Sequence, residues 1–272
     1  MAKIINTPSV NIPELAIYFG NKEIHLLRYF EPEPGIFIAE SRNVIEIALR
    51  QGYEPISMVT VERMAGDSVI DMLPDTTPVY LVDQRDAEKN FGYMLPGGML
   101  CAMRRKKILP LPEVLNNARR IIVLEDVENP TNVGAIFRTA AALGIDGIIL
   151  SPACVDPLYR RAMRVSVGNA CLVPWTFACR DEKEWQEKGI ALLKEEGFTT
   201  VAMALREDNI NIDDAIIRKQ DKIALIMGNE GFGLCDATIA ACDYVAKIPM
   251  MNGVDSLNVA VAAGIAMWEF TR

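Results

Sequence analysis

The sequence predicts an α/β protein of two domains, the second built on an open, doubly wound parallel sheet. Three observations predict this. The chain has 272 residues, about twice the modal domain size. Strand-like apolar runs alternate with stretches of helical periodicity along most of its length. In the C-terminal half those runs are near-continuous rather than alternating, the pattern of parallel strands buried on both faces. With 50% hydrophobic and 24% charged residues, the composition is that of a globular chain rather than a disordered one.

Taken in order, PGIFIAES reads as a strand. RNVIEIALRQ follows with Val44, Ile45, Ala48 and Leu49 at helical spacing, and Gly52 ends that helix. ISMVTV, PVYLVD and MLCAMRR are further strands, with a short helix around Arg85–Asn90. These make a first α/β domain over residues 1–107. KKILPLPEVLNN, with two prolines and no strong period, predicts a linker over 108–118. The second domain, 119–272, offers RIIVLE, IDGIIL, CLVPW, TTVAMAL, KIALIMG and YVAKIPM as strands. Its helices include DEKEWQEKGIALLKEEG and SLNVAVAAGIAMWEF.

Several classes of function are excluded. No apolar run reaches the roughly 18 residues of a membrane span, and the N-terminus lacks the features of a secretory signal; the expected compartment is the cytoplasm. The six cysteines, at 101, 154, 171, 179, 235 and 242, form no CxxC pair, and no disulfide is expected. With a single histidine, His25, a metal site is not expected and catalysis does not rest on imidazole. The net charge of −8 argues against a nucleic-acid partner on its face, since phosphates are neutralised by Lys and Arg. A total does not exclude a local basic strip. The acid gathers in DEKEWQEKGIALLKEE and REDNINIDD, while Arg104, Arg105, Lys106 and Lys107 form one basic cluster and Arg160, Arg161 and Arg164 another. Each cluster is either an RNA contact or a solvated or dimer-facing charge group.

Three segments past strands break ordinary strand–helix logic. In EDVENPTNVGAIFRTAAALG, Asn132, Gly134 and Arg138 have the spacing N-x-G-x-x-x-R. On one continuous helix Asn132 and Arg138 do not share a face. If Asn132 belongs to the preceding loop, both can point toward the strand ends; the alternative is an Asn cap and a solvated arginine. In IALIMGNEGFGL, Gly228, Gly231 and Gly233 permit close backbone approach to a ligand. The pattern is neither the dinucleotide fingerprint nor a phosphate loop. Glu230 within it suits a cationic or hydroxyl-bearing ligand, or is the exposed member of a tight turn. In AKIPMMNGVDSLNVAVAAGIAMWEF, Ser256-Leu257-Asn258 open a helix, with Ser256 as an expected N-cap. The small face of Ala260, Ala262, Ala263 and Gly264 lets another element pack close.

In order and spacing, these three segments resemble the signature motifs of the SpoU/TrmH family of RNA ribose 2′-O-methyltransferases, within the SPOUT superfamily. CVDPLYRRAMRVSVGNACLVPW is similar to the stretch between the first two motifs, so the resemblance covers about 119–272. More weakly, residues 25–105 resemble the family's ribosomal-protein-like RNA-binding domain. The resemblance implies a deep trefoil knot in the C-terminal sheet and S-adenosylmethionine as cofactor. It also implies a homodimer formed through the knotted domain. By motif position, it implies cofactor contacts at Met203, Ala204, Gly228, Asn229, Gly231, Ile248, Met250 and Leu257. Ala260, where many members have Ser, and the bulky Met203 are departures.

The resemblance also implies catalytic roles for Asn132, Arg138, Glu230, Ser256 and Asn258. Arginine is a poor base because it stays protonated. Arg138 is therefore expected to clamp a phosphate and orient the ribose hydroxyl, with no metal required. The expected substrate is structured RNA, ribosomal RNA preferred over tRNA. The alternative is an RNA-binding scaffold of the same fold that has lost catalysis.

Overall fold

The computed structural model describes residues 3–7, 9–18, 23–27, 35–91, 97–206 and 209–272. The chain forms two compact units, residues 1–107 with 158–172 and residues 108–157 with 173–272. The first begins with β1 (Lys3–Asn6), α1 (Glu23–Leu27), β2 (Ile36–Glu40), α2 (Arg42–Arg50) and β3 (Pro55–Val61). It continues through β4 (Pro78–Val82), α3 (Gln84–Phe91) and β5 (Met99–Arg104). Its five-stranded sheet has the order β1-β4-β3-β5-β2. The β1, β4 and β3 ladders are parallel; β5 runs antiparallel to both of its neighbours. Every residue of β2 is buried, and α2 presses Val44, Ile45 and Ala48 inward as their spacing predicts. The expected first strand began at Pro34, which lies outside the described residues. His25 is exposed.

The second unit opens with α4 (Leu111–Leu115), β6 (Arg120–Leu124), α5 (Pro130–Leu143) and β7 (Gly147–Leu150). The chain then forms α6 (Arg160–Val165), which belongs to the first unit. Back in the second unit come β8 (Trp175–Phe177), α7 (Glu182–Glu195), β9 (Thr199–Met203) and β10 (Ile210–Asn211). They are followed by α8 (Ala215–Arg218), β11 (Ile223–Met227), α9 (Asp236–Ala241), β12 (Tyr244–Lys247) and α10 (Val259–Thr271). All seven strands are parallel, in the order β10-β12-β9-β11-β6-β7-β8. From β6 the chain moves on to β7, whereas from β11 it moves the other way to β12. The carboxyl ends of β6 and β11 therefore flank the point where such sheets bind ligands.

Four expectations need correction. The predicted linker holds α4, with Val114 and Leu115 buried. The strand placed over CLVPW starts later, at Trp175, because Pro174 has no N–H for the ladder and only its carbonyl is used, accepting from Ile148. The strand expected to reach Met250 stops at Lys247, ahead of Pro249. The segment Leu158–Leu172, assigned to the C-terminal domain, packs with the first unit.

The last correction has a physical anchor. Buried Glu40, the final residue of β2, accepts from Arg160 Nε at 2.8 Å and Arg164 Nη1 at 3.4 Å. Removing one partner of a buried ion pair costs about 3 kcal/mol. Glu40→Ala should lower the unfolding free energy by about that amount, read from urea denaturation, and Glu40→Gln by less. No change in the Glu40→Ala midpoint would show that the pair does not hold this segment.

Candidate active site

Three loops follow the adjacent strands β9, β11 and β12, and they enclose a cavity of about 580 Å³. Its lining includes Met203 and Ala204 from the first loop, and Gly228, Asn229, Glu230 and Gly231 from the second. The third loop contributes Ile248, Met250, Ser256, Leu257 and Asn258. Gly228 is fixed by sterics: a Cβ there would lie 2.3 Å from the Gly233 carbonyl carbon and 2.4 Å from the Leu234 nitrogen.

Asn229 builds the second loop. Its Oδ1 accepts from the N–H groups of Gly231 (2.7 Å) and Phe232 (3.2 Å), and its Nδ2 donates to the Asp126 carbonyl at 2.7 Å. Two backbone hydrogen bonds between Asn229 and Gly233, both 3.0 Å, close the turn. Asp126, just past β6, is itself held: Ser151 Oγ donates to its carboxylate at 2.6 Å, and its N–H donates to the same Oγ at 2.9 Å.

Asn132 joins the pieces. Its Nδ2 donates to Glu230 Oε1 at 2.7 Å, and its Oδ1 accepts from Asn258 Nδ2 at 3.0 Å. A side-chain chain Glu230–Asn132–Asn258 thus links the β11 loop to the N-terminal turns of α5 and α10. Asn132 lies inside α5, not in a loop; the cap is Asn129, whose side chain accepts from Thr131 N–H, with Pro130 opening the helix. Six residues further along the same helix, Arg138 points about 120° away around the axis. It is exposed, with no hydrogen bond or ion pair among the described residues. The structure therefore brings Asn132, Glu230 and Asn258 together and leaves Arg138 outside their chain.

The expected cap at Ser256 is also corrected. Asn258 caps α10, its Oδ1 accepting from Ala260 and Val261 N–H at 2.9 and 3.4 Å. Ser256 is an exposed residue of the preceding loop. The site uses two residues that sequence reasoning did not single out. Asp126 anchors the loop of Asn229, and Glu125 is buried while accepting from Trp185 Nε1 at 2.7 Å and Cys235 N–H at 2.8 Å. Their place at the end of RIIVLE was the available signal.

The basic clusters are partly committed elsewhere. Arg105 is buried, Lys106 donates to the Gln51 carbonyl and covers the Tyr53 ring, and Arg160 and Arg164 pair with Glu40. Arg104 pairs with exposed Glu54 at 3.5 Å, and Lys107 and Arg161 are exposed.

All six cysteines are free. Burial pushes the Cys154 thiol up to about 11 and that of Cys242 up to about 12, so both stay neutral near pH 7. Among the described residues no group of three His, Cys, Asp or Glu side chains is arranged to hold a metal. No helix among them is long and apolar enough to cross a membrane.

Comparison with known proteins fits this geometry. A tRNA/rRNA methyltransferase of Mycobacterium bovis and one of Mycobacterium tuberculosis are each 36% identical over 238 residues, 87% of this chain and 81% of theirs. The solved AdoMet-bound rRNA methyltransferase of Sinorhizobium meliloti shares the fold, with a TM-score of 0.81 and 24% identity over 98% of this chain and 97% of that one. A solved RNA 2′-O ribose methyltransferase does so at a TM-score of 0.76 and 23% identity, covering 98% of each. Residues 119–268, which carry the Asn132–Glu230–Asn258 chain and its cavity, match the model of the SpoU rRNA methylase family, and the chain belongs to that family.

Proposed function

We propose that this protein transfers a methyl group from S-adenosylmethionine to a ribose 2′-hydroxyl of structured RNA, with ribosomal RNA preferred over tRNA. The observation that carries this reading is the Glu230–Asn132–Asn258 chain set beside the cavity lined by the loops after β9, β11 and β12. The cavity's chemistry suits the cofactor. Leu205, Ile239, Leu257 and Val259 offer apolar wall for a purine; Glu230 and Asp255 suit a sulfonium or ammonium charge; Arg206 and Lys247 suit a carboxylate. Met203, Ala204, Gly228, Asn229, Gly231, Ile248, Met250 and Leu257 would hold it. When bound, it would supply an electrophilic sulfonium methyl for the ribose 2′-oxygen, with the neutral thioether as leaving group and the hydroxyl proton released to water.

The chain's own residues then have alignment and electrostatics to supply. Glu230 and Asn258, both oriented by Asn132, face the reacting ribose, with Ser256 on the rim. Arg138 clamps the adjacent phosphate as a fixed cation. Because it stands apart from the other four, the bound RNA or a second copy of the chain completes the site. A homodimer is supported by a groove between α5 and α10. There Val261, Ile265 and Trp268 remain 52%, 40% and 56% exposed, an apolar stripe that a soluble monomer rarely leaves open. We further assign the family's trefoil knot to the loops around this cavity, RNA contacts to Arg104, Lys107 and Arg161, and a cytoplasmic location.

The test is transfer of labelled methyl from S-adenosylmethionine to unmodified ribosomal RNA and tRNA transcripts, followed by alkaline hydrolysis. Label in alkali-resistant dinucleotides is expected, since a methylated 2′-oxygen cannot attack its phosphodiester. Label in a base overturns the ribose assignment. RNA binding without transfer would make the protein a scaffold.

A further inference from the structure

The turn after β11 carries a side chain that the fold does not use. Phe232 is 95% exposed, yet its backbone is held by the Asn229 side chain and by the paired hydrogen bonds that close the turn. Solvation of a phenyl ring is unfavourable, and nothing among the described residues of the second unit relieves it. Phe232 lines both the cavity assigned to the cofactor and a second hollow lined by Glu125, Asp126, Glu128 and Asn129. Those carboxylates disfavour a phosphodiester in that hollow, whereas a flat apolar ring favours the face of a base. Two residues away, Glu230 is fixed by Asn132.

We propose that Phe232 is the stacking platform for the base of the nucleotide that is methylated, holding its ribose at Glu230 and Asn258. This rests on the methyltransferase reading above. Base–aromatic stacking is sequence-tolerant, because every base has a π-face. Phe232 therefore fixes where the nucleotide sits and leaves its identity to other contacts.

The test compares Phe232→Ala, Phe232→Leu and Phe232→Trp in the full chain. Phe232→Ala and Phe232→Leu should each raise KM for the methylated transcript about tenfold. The melting temperature should not move, because the ring is not part of the packed core. Phe232→Trp should restore KM to within about threefold of wild type, since tryptophan also stacks. A Phe232→Leu variant with wild-type KM would overturn the proposal, because it would show that bulk and not a π-face matters. So would dissociation of a dimer by Phe232→Ala, which would assign the ring to a subunit interface. Ultraviolet crosslinking of ribosomal RNA transcripts, mapped on tryptic peptides, separates this idea from the enzymatic one. A nucleotide adduct on Phe232 is expected whether or not methyl is transferred, and adducts confined to other peptides would refute stacking.

Discussion

Gly228→Ala is expected to weaken S-adenosylmethionine binding by tenfold or more. The new methyl group would stand 2.3, 2.4 and 2.6 Å from backbone atoms of Gly233 and Leu234, and no rotamer change relieves a clash with backbone. Either the 229–233 turn opens or β11 shifts, and both deform the cavity. Overpacking of this kind costs about 1–3 kcal/mol, and each 1.4 kcal/mol removed from binding is about tenfold in affinity. The melting temperature should fall as well, by about 2–4 °C per kcal/mol for a protein of this size. Gly66→Ala, outside the cavity lining, is the control: its Cβ would meet nothing within 4 Å. Titration calorimetry on both variants decides the matter. Equal affinities for Gly228→Ala and wild type would mean that the cofactor lies elsewhere.

Arg138→Ala should reduce methyl transfer by about 10²–10³-fold, the loss seen when one preorganised charge-stabilising donor is removed. Cofactor affinity and thermal stability should stay at wild-type values, since the guanidinium is exposed and bonded to nothing among the described residues. Arg138→Lys should recover little, because a point charge replaces a planar fork. Single-turnover rates with saturating cofactor provide the measurement. A mutant that turns over at the wild-type rate would remove Arg138 from the reaction. A mutant that folds poorly would instead assign Arg138 a structural role.

The parallel sheet of the second unit was legible because strands such as β6, β7 and β11 are buried on both faces and write themselves as apolar runs. The edge strands β1 and β10 left no such trace. Lys3–Asn6 is largely exposed and Ile210–Asn211 is two residues long, so each adds little apolar burial to its backbone pairing. Within the site, Asn132, Glu230 and Asn258 were readable as residue types, but their mutual contacts join positions about a hundred residues apart. The exclusion of Arg138 from that group was readable in principle. Asn129-Pro130 is a cap followed by the residue best suited to open a helix, which places Asn132 inside it. The allegiance of residues 158–172 was not readable, because it depends on a carboxylate 120 positions upstream.

That allegiance bears on how the protein can be divided. The chain enters the first unit twice, through residues 1–107 and again through 158–172, so no single cut separates the two units. A fragment starting at Ile108 would keep Arg160 and Arg164 but lose Glu40, exposing the apolar side of α6, where Ala162 and Met163 are buried. A fragment ending at Lys107 would carry Glu40 with neither guanidinium. Exchange of the first unit between relatives of this architecture therefore requires two segments to be replaced together, one of them inside the stretch that separates β7 from β8.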